Sequence, residues 1–228
     1  MNTSLDQQKR ASALAALEWV NPVQILGVGT GSTVNALLAL MQEKKHLPKA
    51  AVSSSKATTA LLNQFGVEVL DLNSAGPLAC YIDGADECDP GFRLIKGGGG
   101  ALTREKIIAQ AAEKFICLID DSKRVDVLGR FSLPVEVIQM ARSQIARVLV
   151  GLGGTPSWRQ SPDKVAGQGY LTDNGHWIID VADLEITDPL GLEARLNAEP
   201  GVVCVGLFAR RPADVVICGG KLLEHVKN

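Results

Sequence analysis

Short apolar runs alternate with amphipathic stretches along the first half of the chain. Apolar runs bounded by turn residues are typical of buried strands, and apolar positions that recur every three or four residues are typical of helices packed against them. In chain order the pattern predicts a helix at residues 5–19, a strand at 23–28, a helix at 34–44, a strand at 50–52, a helix at 56–65, strands at 67–70 and 79–82, a helix that starts with Thr103 as its N-cap and continues to Phe115, and a strand at 115–119. Such alternation favours an α/β fold with a doubly wound, mostly parallel, Rossmann-like sheet.

The order of the elements changes after Gly129. The pattern there predicts strands at residues 134–138, 155–160, 170–181 and 202–208, and helices at 141–152 and 190–197. This β-α-β-β-α-β order is that of a ferredoxin-like α+β unit. We therefore predict a catalytic α/β domain formed by residues 1–129 and 208–228, to which residues 213–218 return a strand, and a second, smaller domain at 130–207.

Ionisable side chains and glycines are concentrated between Asp83 and Lys106. The predicted strand 79–82 ends directly before acidic residues, and carboxylates at strand ends line the crevices in which α/β proteins bind ligands. Four glycines follow Lys96, and glycines allow consecutive backbone N–H groups to face an oxyanion or a phosphate. The candidate binding residues of this stretch are Asp83, Gly84, Ala85, Asp86, Lys96, Gly97, Gly98 and Gly99. A flexible loop is the alternative interpretation of the glycine run.

Glu105 is the acid that follows the glycine run, in the first turn of the predicted helix. A carboxylate at that place interacts favourably with the helix dipole, so a purely structural role is one interpretation. The capping-box position holds Lys106 instead of an acid, which leaves Glu105 free of that duty. The other interpretation is a general base.

A second glycine-rich turn joins the strand at 23–28 to the helix at 34–44. A helix N-terminus binds anions through its free N–H groups and its dipole, and neighbouring hydroxyls would add donors. The candidate residues are Thr30, Gly31, Ser32 and Thr33. A dinucleotide site is disfavoured because the next strand ends in three serines where a ribose-binding acid is needed, and a P-loop is disfavoured because no Lys precedes the hydroxyl residues. A sugar-phosphate site and a plain structural turn remain.

Lys123 follows the strand at 115–119. In a parallel sheet the carboxyl ends of the strands lie on one edge, so we expect Lys123 on the same rim as Thr30, Asp83 and Asp86. A positive charge at that rim would attract a phosphate. A solvent-exposed surface charge is the alternative.

Charge and composition favour a small molecule as the partner. The net charge is −2 and no cluster of Lys or Arg is present, which disfavours nucleic acids and membrane surfaces. No apolar run approaches the ~20 residues of a membrane span, and the first residues lack the apolar core of a signal peptide, so we expect a cytoplasmic protein. The five cysteines include no C-x-x-C pair and are expected to be buried free thiols, and no metal site is indicated.

Five motifs in order and at matching spacing resemble ribose-5-phosphate isomerases of the A type, over nearly the whole chain. They are Gly-Val-Gly-Thr-Gly-Ser-Thr at 27–33, Asp-Gly-Ala-Asp-Glu at 83–87, Lys-Gly-Gly-Gly at 96–99, Leu-Thr-Arg-Glu-Lys at 102–106 and Thr-Asp-Asn-Gly at 172–175. The resemblance implies an enzyme without a cofactor that interconverts ribose 5-phosphate and ribulose 5-phosphate in the pentose phosphate pathway. Its partner would be a small phosphorylated sugar. We also expect a homodimer, with the small domain contributing to the contact.

The resemblance also implies roles for individual residues. Glu105 matches the acid that moves a proton between C2 and C1, Lys96 and the glycine amides would stabilise the oxyanion, and Lys123 would contact the substrate. Asp83 and Asp86 would hold sugar hydroxyls, and one of them would help to open the furanose ring. The chain departs from the family at Gly100, where members often have Ala, and in a long stretch at 161–169 that we expect to form a surface hairpin loop.

Two functions from other classes stay open at this point. A sugar-phosphate sensor on a related fold would bind the ligand without turnover, but such a sensor usually carries a DNA-binding helix-turn-helix, and the stretch before the first strand is too short for one. A deaminase or lactonase would need a histidine near the acid, whereas His46, His176 and His225 lie outside the motifs. The pattern does not determine the selectivity among pentose phosphates.

Overall fold

The computed structural model describes residues 3–161 and 168–223. Its helices are α1 (Thr3–Ala16), α2 (Ser32–Glu43), α3 (Lys56–Gln64), α4 (Leu72–Ala75), α5 (Leu102–Ala111), α6 (Arg142–Gly151) and α7 (Pro189–Asn197). Its strands are β1 (Ile25–Val28), β2 (Ala50–Ser53), β3 (Glu68–Val69), β4 (Leu78–Gly84), β5 (Glu87–Cys88), β6 (Leu94–Ile95), β7 (Ala112–Ile119), β8 (Leu133–Val137), β9 (Thr155–Trp158), β10 (Trp177–Ala182), β11 (Val202–Val205), β12 (Leu207–Phe208), β13 (Val215–Cys218) and β14 (Lys221–Leu222). Short 3-10 turns lie at Leu17–Trp19, Asp121–Lys123 and Gln139–Ala141.

The largest sheet has seven strands in the order β14-β13-β7-β4-β1-β2-β3. Neighbouring strands pair in parallel except at the edge, where β13 and β14 are antiparallel. The central strands bury both faces: Ile82 packs with Leu37 of α2, and Tyr81 packs on the other face with Ile108 of α5. Burial on both faces explains why these strands are continuous apolar runs. The predicted doubly wound, mostly parallel sheet is confirmed, and so is the return of the chain at β13.

The second sheet has four antiparallel strands in the order β11-β8-β10-β9. With α6 between β8 and β9 and α7 between β10 and β11, this is the ferredoxin-like arrangement that the sequence predicts. Its core contains Val135 and Ile179 from the sheet, Ile145 and Leu149 from α6, and Leu196 from α7.

The predicted strand at 202–208 is in fact two strands in different sheets. After β11 the chain turns at Gly206, and β12 pairs antiparallel with β6, whose other neighbour is β5. The carbonyl oxygen of Gly206 accepts a hydrogen bond from the N–H of Lys96 at 2.9 Å. An added Cβ at Gly206 would lie 2.4 Å from the carbonyl oxygen of Lys96, so only glycine permits this crossing. The crossing places Lys96 at the junction of the sheets.

Helix α5 differs from its prediction at both ends. It begins at Leu102, and Ala101 at the N-cap position makes no side-chain cap. Thr103 is therefore not the N-cap; its hydroxyl instead donates a hydrogen bond to the fully buried carboxylate of Glu136 on β8. The helix ends at Ala111 instead of Phe115, because the following residues pair with β4 and β13.

The predicted strand at 170–181 is shorter than expected. It is formed only by Trp177–Ala182, because the Thr-Asp-Asn-Gly motif closes a turn in which the N–H of Gly175 donates to the carbonyl of Thr172 at 3.0 Å. Most of the predicted loop at 161–169 lies outside the described residues. At its base, Gln160 and Gly169 form an antiparallel bridge.

The five cysteines are buried and unpaired, as the sequence predicts. Burial raises the pKa of the Cys80 thiol to about 11 and that of Cys88 to about 12, so both thiols are protonated near neutral pH. Among residues 3–161 and 168–223, no helix combines the length and apolar character needed to cross a bilayer.

Candidate active site

Three adjacent strands of the large sheet, β7, β4 and β1, end at the same edge. The segments that follow these strands meet α1 and the glycine run there, around a pocket of about 140 Å³. The pocket is lined by Lys9, Thr30, Gly31, Ser32, Thr33, Gly84, Ala85, Asp86, Lys96, Gly97, Gly99, Glu105 and Lys123. The fold thus brings together the candidate residues of four separate stretches. Of the predicted residues, only Asp83 and Gly98 are not part of the lining.

Asp83 is completely buried beneath the pocket. Its carboxylate accepts hydrogen bonds from the hydroxyl of Tyr81, from the N–H groups of Thr30 at 3.0 Å and Gly84 at 2.7 Å, and from Nζ of Lys96 at 2.7 Å. A carboxylate has about four acceptor sites, so these donors leave none for a sugar hydroxyl. Gly29 permits the approach, because an added Cβ there would lie 1.9 Å from Cγ of Asp83. Asp83 therefore holds the Thr30 turn and Lys96 in place.

Lys96 lies almost fully buried in the floor of the pocket. Its Nζ donates to Oδ2 of Asp83 at 2.7 Å and to the carbonyl of Gly84 at 2.6 Å, and it lies 3.2 Å from Oε2 of Glu105. Burial alone would lower the pKa of Lys96, but the carboxylates of Asp83 and Glu105 outweigh burial and raise the pKa above its ordinary value. Lys96 is therefore a fixed positive charge at neutral pH.

Glu105 projects from the first turn of α5 into the same floor and is 3% exposed. Its Oε2 is close to Lys96, but the approach lacks hydrogen-bond geometry, and this oxygen has no hydrogen-bond partner among the described residues. Burial raises the pKa of Glu105 above its ordinary value; Lys96 opposes this rise, and Asp83 adds to it. A buried carboxylate with an unsatisfied oxygen at a pocket wall is well suited to accept a proton.

The glycine run forms the wall beside Lys96 and Glu105. Gly97 has φ +107° and Gly100 has φ +81°, backbone conformations that favour glycine. The N–H of Gly98 donates to Oδ2 of Asp86 at 2.7 Å. The N–H groups of Gly97 and Gly99, which line the pocket, donate to no acceptor among the described residues. The run therefore forms a turn with defined backbone geometry.

A second cluster of donors lies at the opposite wall, where α2 begins. Gly31, with φ +115°, occupies the N-cap position, and Ser32 and Thr33 in the first turn of α2 line the pocket. The hydroxyl of Thr30 does not face the pocket as the sequence suggested; it contacts the hydroxyls of Ser54 and Ser55, each at 2.8 Å. The N-terminus and the dipole of a 12-residue helix give this wall the features of a place that can attract an anion.

Comparisons with known proteins agree with this geometry. The sequence matches the family described as Ribose 5-phosphate isomerase A (phosphoriboisomerase A) over residues 50–222. It is 56% identical over 218 residues to the ribose-5-phosphate isomerase A of Stenotrophomonas maltophilia (strain R551-3), in an alignment that covers 95% of this chain and 98% of the relative. The chain belongs to the ribose 5-phosphate isomerase A family. The resemblance that five short motifs indicate is confirmed.

Solved structures of the ribose 5-phosphate isomerase A family share the fold. The enzyme from Neisseria gonorrhoeae is 42% identical with a TM-score of 0.91, and the match covers 98% of each chain. A D-ribose-5-phosphate isomerase solved in complex with phospho-erythronic acid is 36% identical with a TM-score of 0.91, over 98% of this chain and 100% of that one. The two-part α/β architecture is therefore that of the family.

Lys9 is a residue of the pocket that sequence reasoning missed. It lies on α1, outside every motif, and only tertiary packing brings it to the site. The side chain of the preceding Gln8 exchanges two hydrogen bonds of 2.9 Å with Asp121, one to its carboxylate and one from its N–H. This contact fixes the first half of α1 next to the turn that carries Lys123. Lys9 and Lys123 then supply two positive charges beside the α2 N-terminus.

The histidines give no support to deaminase or lactonase chemistry. His46 is hydrogen-bonded to the carbonyl of Val20 at 2.7 Å, and neither His46 nor His176 lines the pocket. His225 lies outside the described residues. In this pocket the acid Glu105 has a lysine, Lys96, beside it instead of a histidine.

Proposed function

We propose that this chain interconverts ribose 5-phosphate and ribulose 5-phosphate, with Glu105 as the base that moves the proton between C2 and C1. The observation that carries the proposal is the buried Glu105 carboxylate next to a charged lysine and two free amides in one small pocket. The names of the relatives support the reaction. The residues present supply a base and donors for an oxyanion, so the reaction is proposed to need no cofactor.

The substrate phosphate is assigned to the wall at the start of α2. Gly31, Ser32 and Thr33 line this wall at a helix N-terminus, where backbone N–H groups are available to an anion, and Lys9 and Lys123 add charge. The opposite wall, with Lys96 and the glycine amides, receives the carbonyl end of the sugar. Phospho-erythronic acid, the ligand of one relative, carries a phosphate at one end and a carboxylate at the other. A ligand with two anionic ends matches a pocket with two anion-binding walls.

Proton transfer follows from the contacts of Glu105. Its carboxylate removes the proton from C2 of the open-chain aldose, and the electrons form a cis-enediolate with the negative charge on O1. The same carboxyl group returns a proton to C1, and the proton of the O2 hydroxyl passes to O1, so that the carbonyl moves from C1 to C2. The oxyanion is stabilised by Lys96 and by the N–H groups of Gly97 and Gly99, at roughly 3 kcal/mol for each well-placed donor. Asp83 acts on the reaction only by holding Lys96 protonated and in position.

Asp86 is the carboxylate that remains for sugar hydroxyls and ring opening. It is half-buried, lines the pocket, and uses one oxygen, Oδ2, to accept the N–H of Gly98 at 2.7 Å. An added Cβ at Gly98 would lie 2.7 Å from Oδ1, so glycine at 98 is what allows this carboxylate so close to the loop. Gly84 and Ala85 complete the wall through their backbone. We therefore assign ring opening to Asp86 instead of Asp83.

We further propose a cytoplasmic homodimer in which the catalytic unit is residues 1–129 with 208–228, and the unit at 130–207 contributes to the contact. Exposed apolar side chains on the smaller unit support this: Met140 is 93% exposed and Leu171 is 56% exposed. Sedimentation at micromolar concentration is expected to give twice the 24.2 kDa mass of the chain. A single 24.2 kDa species would contradict the dimer.

The experiment that tests the function uses ribose 5-phosphate labelled with deuterium at C2. We expect the protein to form ribulose 5-phosphate and to release the label into water, and to do so after dialysis against a chelator, since the proposed roles involve no metal. A sugar-phosphate sensor would bind the sugar, measured by calorimetry, without releasing the label. Tight binding with neither ribulose 5-phosphate formed nor label lost from C2 would therefore contradict the isomerase proposal.

A further inference from the structure

The smaller sheet holds the glycine run by its carbonyl groups. Nη1 of Arg159 donates to the carbonyl of Gly97 at 2.9 Å and to that of Gly98 at 3.2 Å. The hydroxyl of Tyr170 donates to the carbonyl of Gly99 at 3.2 Å. Three consecutive carbonyls of a flexible sequence are thus fixed by two side chains that follow β9 and are not in the pocket lining.

These contacts control the N–H groups on the other side of the loop. A peptide group is planar, so the carbonyl of one residue and the N–H of the next point in opposite directions and turn together. By holding the Gly98 carbonyl, Arg159 directs the N–H of Gly99 into the pocket. By holding the Gly97 carbonyl, it directs the N–H of Gly98 to Asp86. A hydrogen bond to a carbonyl also polarises its peptide, which makes the N–H a better donor.

Arg159 is itself held rigidly. Its Nε donates to Oδ2 of Asp180 on β10 at 2.8 Å, and its Nη2 donates to Oδ1 at 2.5 Å. This bidentate pair is mostly buried, with 15% of the Arg159 side chain and 21% of the Asp180 side chain exposed. Because the guanidinium is planar and is held at two of its nitrogen atoms, the direction of Nη1 is also fixed. The N–H of Tyr170 also donates to the carbonyl of Arg159 at 2.8 Å, which links the two side chains through their backbone.

Gly100 shows that the loop and Tyr170 are fitted to each other. An added Cβ at Gly100 would lie 2.4 Å from the hydroxyl oxygen of Tyr170, and Gly100 has φ +81°. Gly100 therefore leaves room for the Tyr170 contact to the neighbouring Gly99.

We propose that Arg159, held by Asp180 and assisted by Tyr170, is a positioning residue that aims the Gly99 amide at the oxyanion of the enediolate. The inference rests on the proposed function, because it assumes that this amide binds an oxyanion. A contact with structural value alone would affect all ligands equally. A positioning contact affects ligands in proportion to the negative charge that they place at the glycine wall.

The test compares two ligands by calorimetry: phospho-erythronic acid, whose carboxylate stands where the oxyanion forms, and ribitol 5-phosphate, which has a neutral hydroxyl there and the same phosphate. Arg159→Met is expected to lower the affinity for phospho-erythronic acid about 10–100-fold, while the affinity for ribitol 5-phosphate changes less than about 3-fold. The kcat for ribose 5-phosphate is expected to fall by about the same factor as the affinity for phospho-erythronic acid, with KM nearly unchanged. Arg159→Lys, which keeps the charge and one donor, should recover part of both losses.

Arg147→Met is the matched control, because Arg147 is exposed on α6 and, within the described part of the chain, its side chain hydrogen-bonds only to Gln144 of the same helix. It should bind both ligands like wild type. Tyr170→Phe, which removes only the hydroxyl, should also lower the affinity for phospho-erythronic acid, but by a smaller factor than Arg159→Met. Equal losses for both ligands in Arg159→Met, or no loss for the acid, would overturn the inference while the proposed function stands. If the wild-type protein binds the acid no better than ribitol 5-phosphate, the oxyanion role of the wall and this inference both fail.

Discussion

Nζ of Lys96 lies 3.2 Å from Oε2 of Glu105, and neither side chain is more than 4% exposed. The lysine gives its hydrogen bonds to Asp83 and to the carbonyl of Gly84 instead, so it is close to the base without neutralising it completely. Burial and Asp83 therefore raise the pKa of Glu105 despite this neighbour. The arrangement suits an enzyme that moves a proton and forms an oxyanion in the same place.

The raised pKa of Glu105 predicts how activity depends on pH. The base must be ionised in the free enzyme, so kcat/KM should fall as the pH falls through the pKa of Glu105. Because that pKa is raised, the midpoint of the acidic limb should lie above the value of about 4.3 for an unperturbed glutamate. A pH profile of kcat/KM for ribose 5-phosphate measures the midpoint. A midpoint at or below the unperturbed value would contradict the assignment.

The same shift predicts how stability depends on pH. A carboxyl group with a raised folded-state pKa contributes stability that is fully present below its unfolded pKa and lost as the pH rises through the folded one. Glu105→Gln should therefore melt at a higher temperature than wild type at neutral and alkaline pH, and the difference should shrink towards pH 4. Each unit of pKa elevation corresponds to about 1.4 kcal/mol, or about 3–6 °C for a protein of this size. Equal melting temperatures of wild type and Glu105→Gln at all pH values would show that burial does not raise the pKa of Glu105.

Lys9 and Lys123, at the wall proposed to bind the phosphate, should contribute to binding only through their positive charge. Lys9→Ala and Lys123→Ala are each expected to lower the affinity for ribose 5-phosphate by roughly tenfold, because each removes a positive charge beside the α2 N-terminus. Unphosphorylated ribose should lose little affinity. Lys49→Ala is the control, since Lys49 is exposed and not part of the pocket lining. Equal losses for both sugars would remove these lysines from the phosphate site.

Lys106, next to the base in sequence, is expected to matter for stability alone. Its Nζ donates to Oε1 of Glu193 at 2.5 Å and to the carbonyls of Val205 and Leu207, and the Glu193 side chain is 6% exposed. Lys106→Met would leave a buried carboxylate without its cation, which costs about 3–5 kcal/mol. Urea unfolding measures this cost.

The double substitution Lys106→Met with Glu193→Gln should recover part of that stability, because the uncompensated charge is gone. The folded Lys106→Met protein should keep its kcat within about twofold, since Lys106 does not line the pocket. A stable Lys106→Met protein with a large loss of kcat would contradict this division between the neighbours Glu105 and Lys106.

The rim of the site could be predicted from the sequence because it depends on local rules. Residues after parallel strands meet at one edge, which brings Thr30, Asp86 and Lys123 together, and glycines after Lys96 indicate a wall of amides. Lys9 could not be found in this way, because it depends on how α1 docks through Gln8 and Asp121.

Long-range contacts determine the features that the sequence did not reveal. Thr103 has the side chain of an N-cap, but its hydroxyl donates to Glu136, a buried acceptor on β8. The pattern places Asp83 correctly near the end of β4, but it does not show that the N–H of Thr30 and Nζ of Lys96, both distant in sequence, also donate to the Asp83 carboxylate. The strands β5, β6 and β12 have two residues each, too short for any periodicity to show.

The central claim is that Glu105 transfers the proton, and Glu105→Gln tests it most directly. The substitution keeps size and hydrogen-bonding capacity but removes the base, so turnover of ribose 5-phosphate and release of deuterium from C2 should both fall by at least ~10²–10⁴. Affinity for the sugar phosphate, measured by calorimetry, should stay within a few-fold of wild type. A folded Glu105→Gln protein that releases the label at the wild-type rate would show that another group is the base.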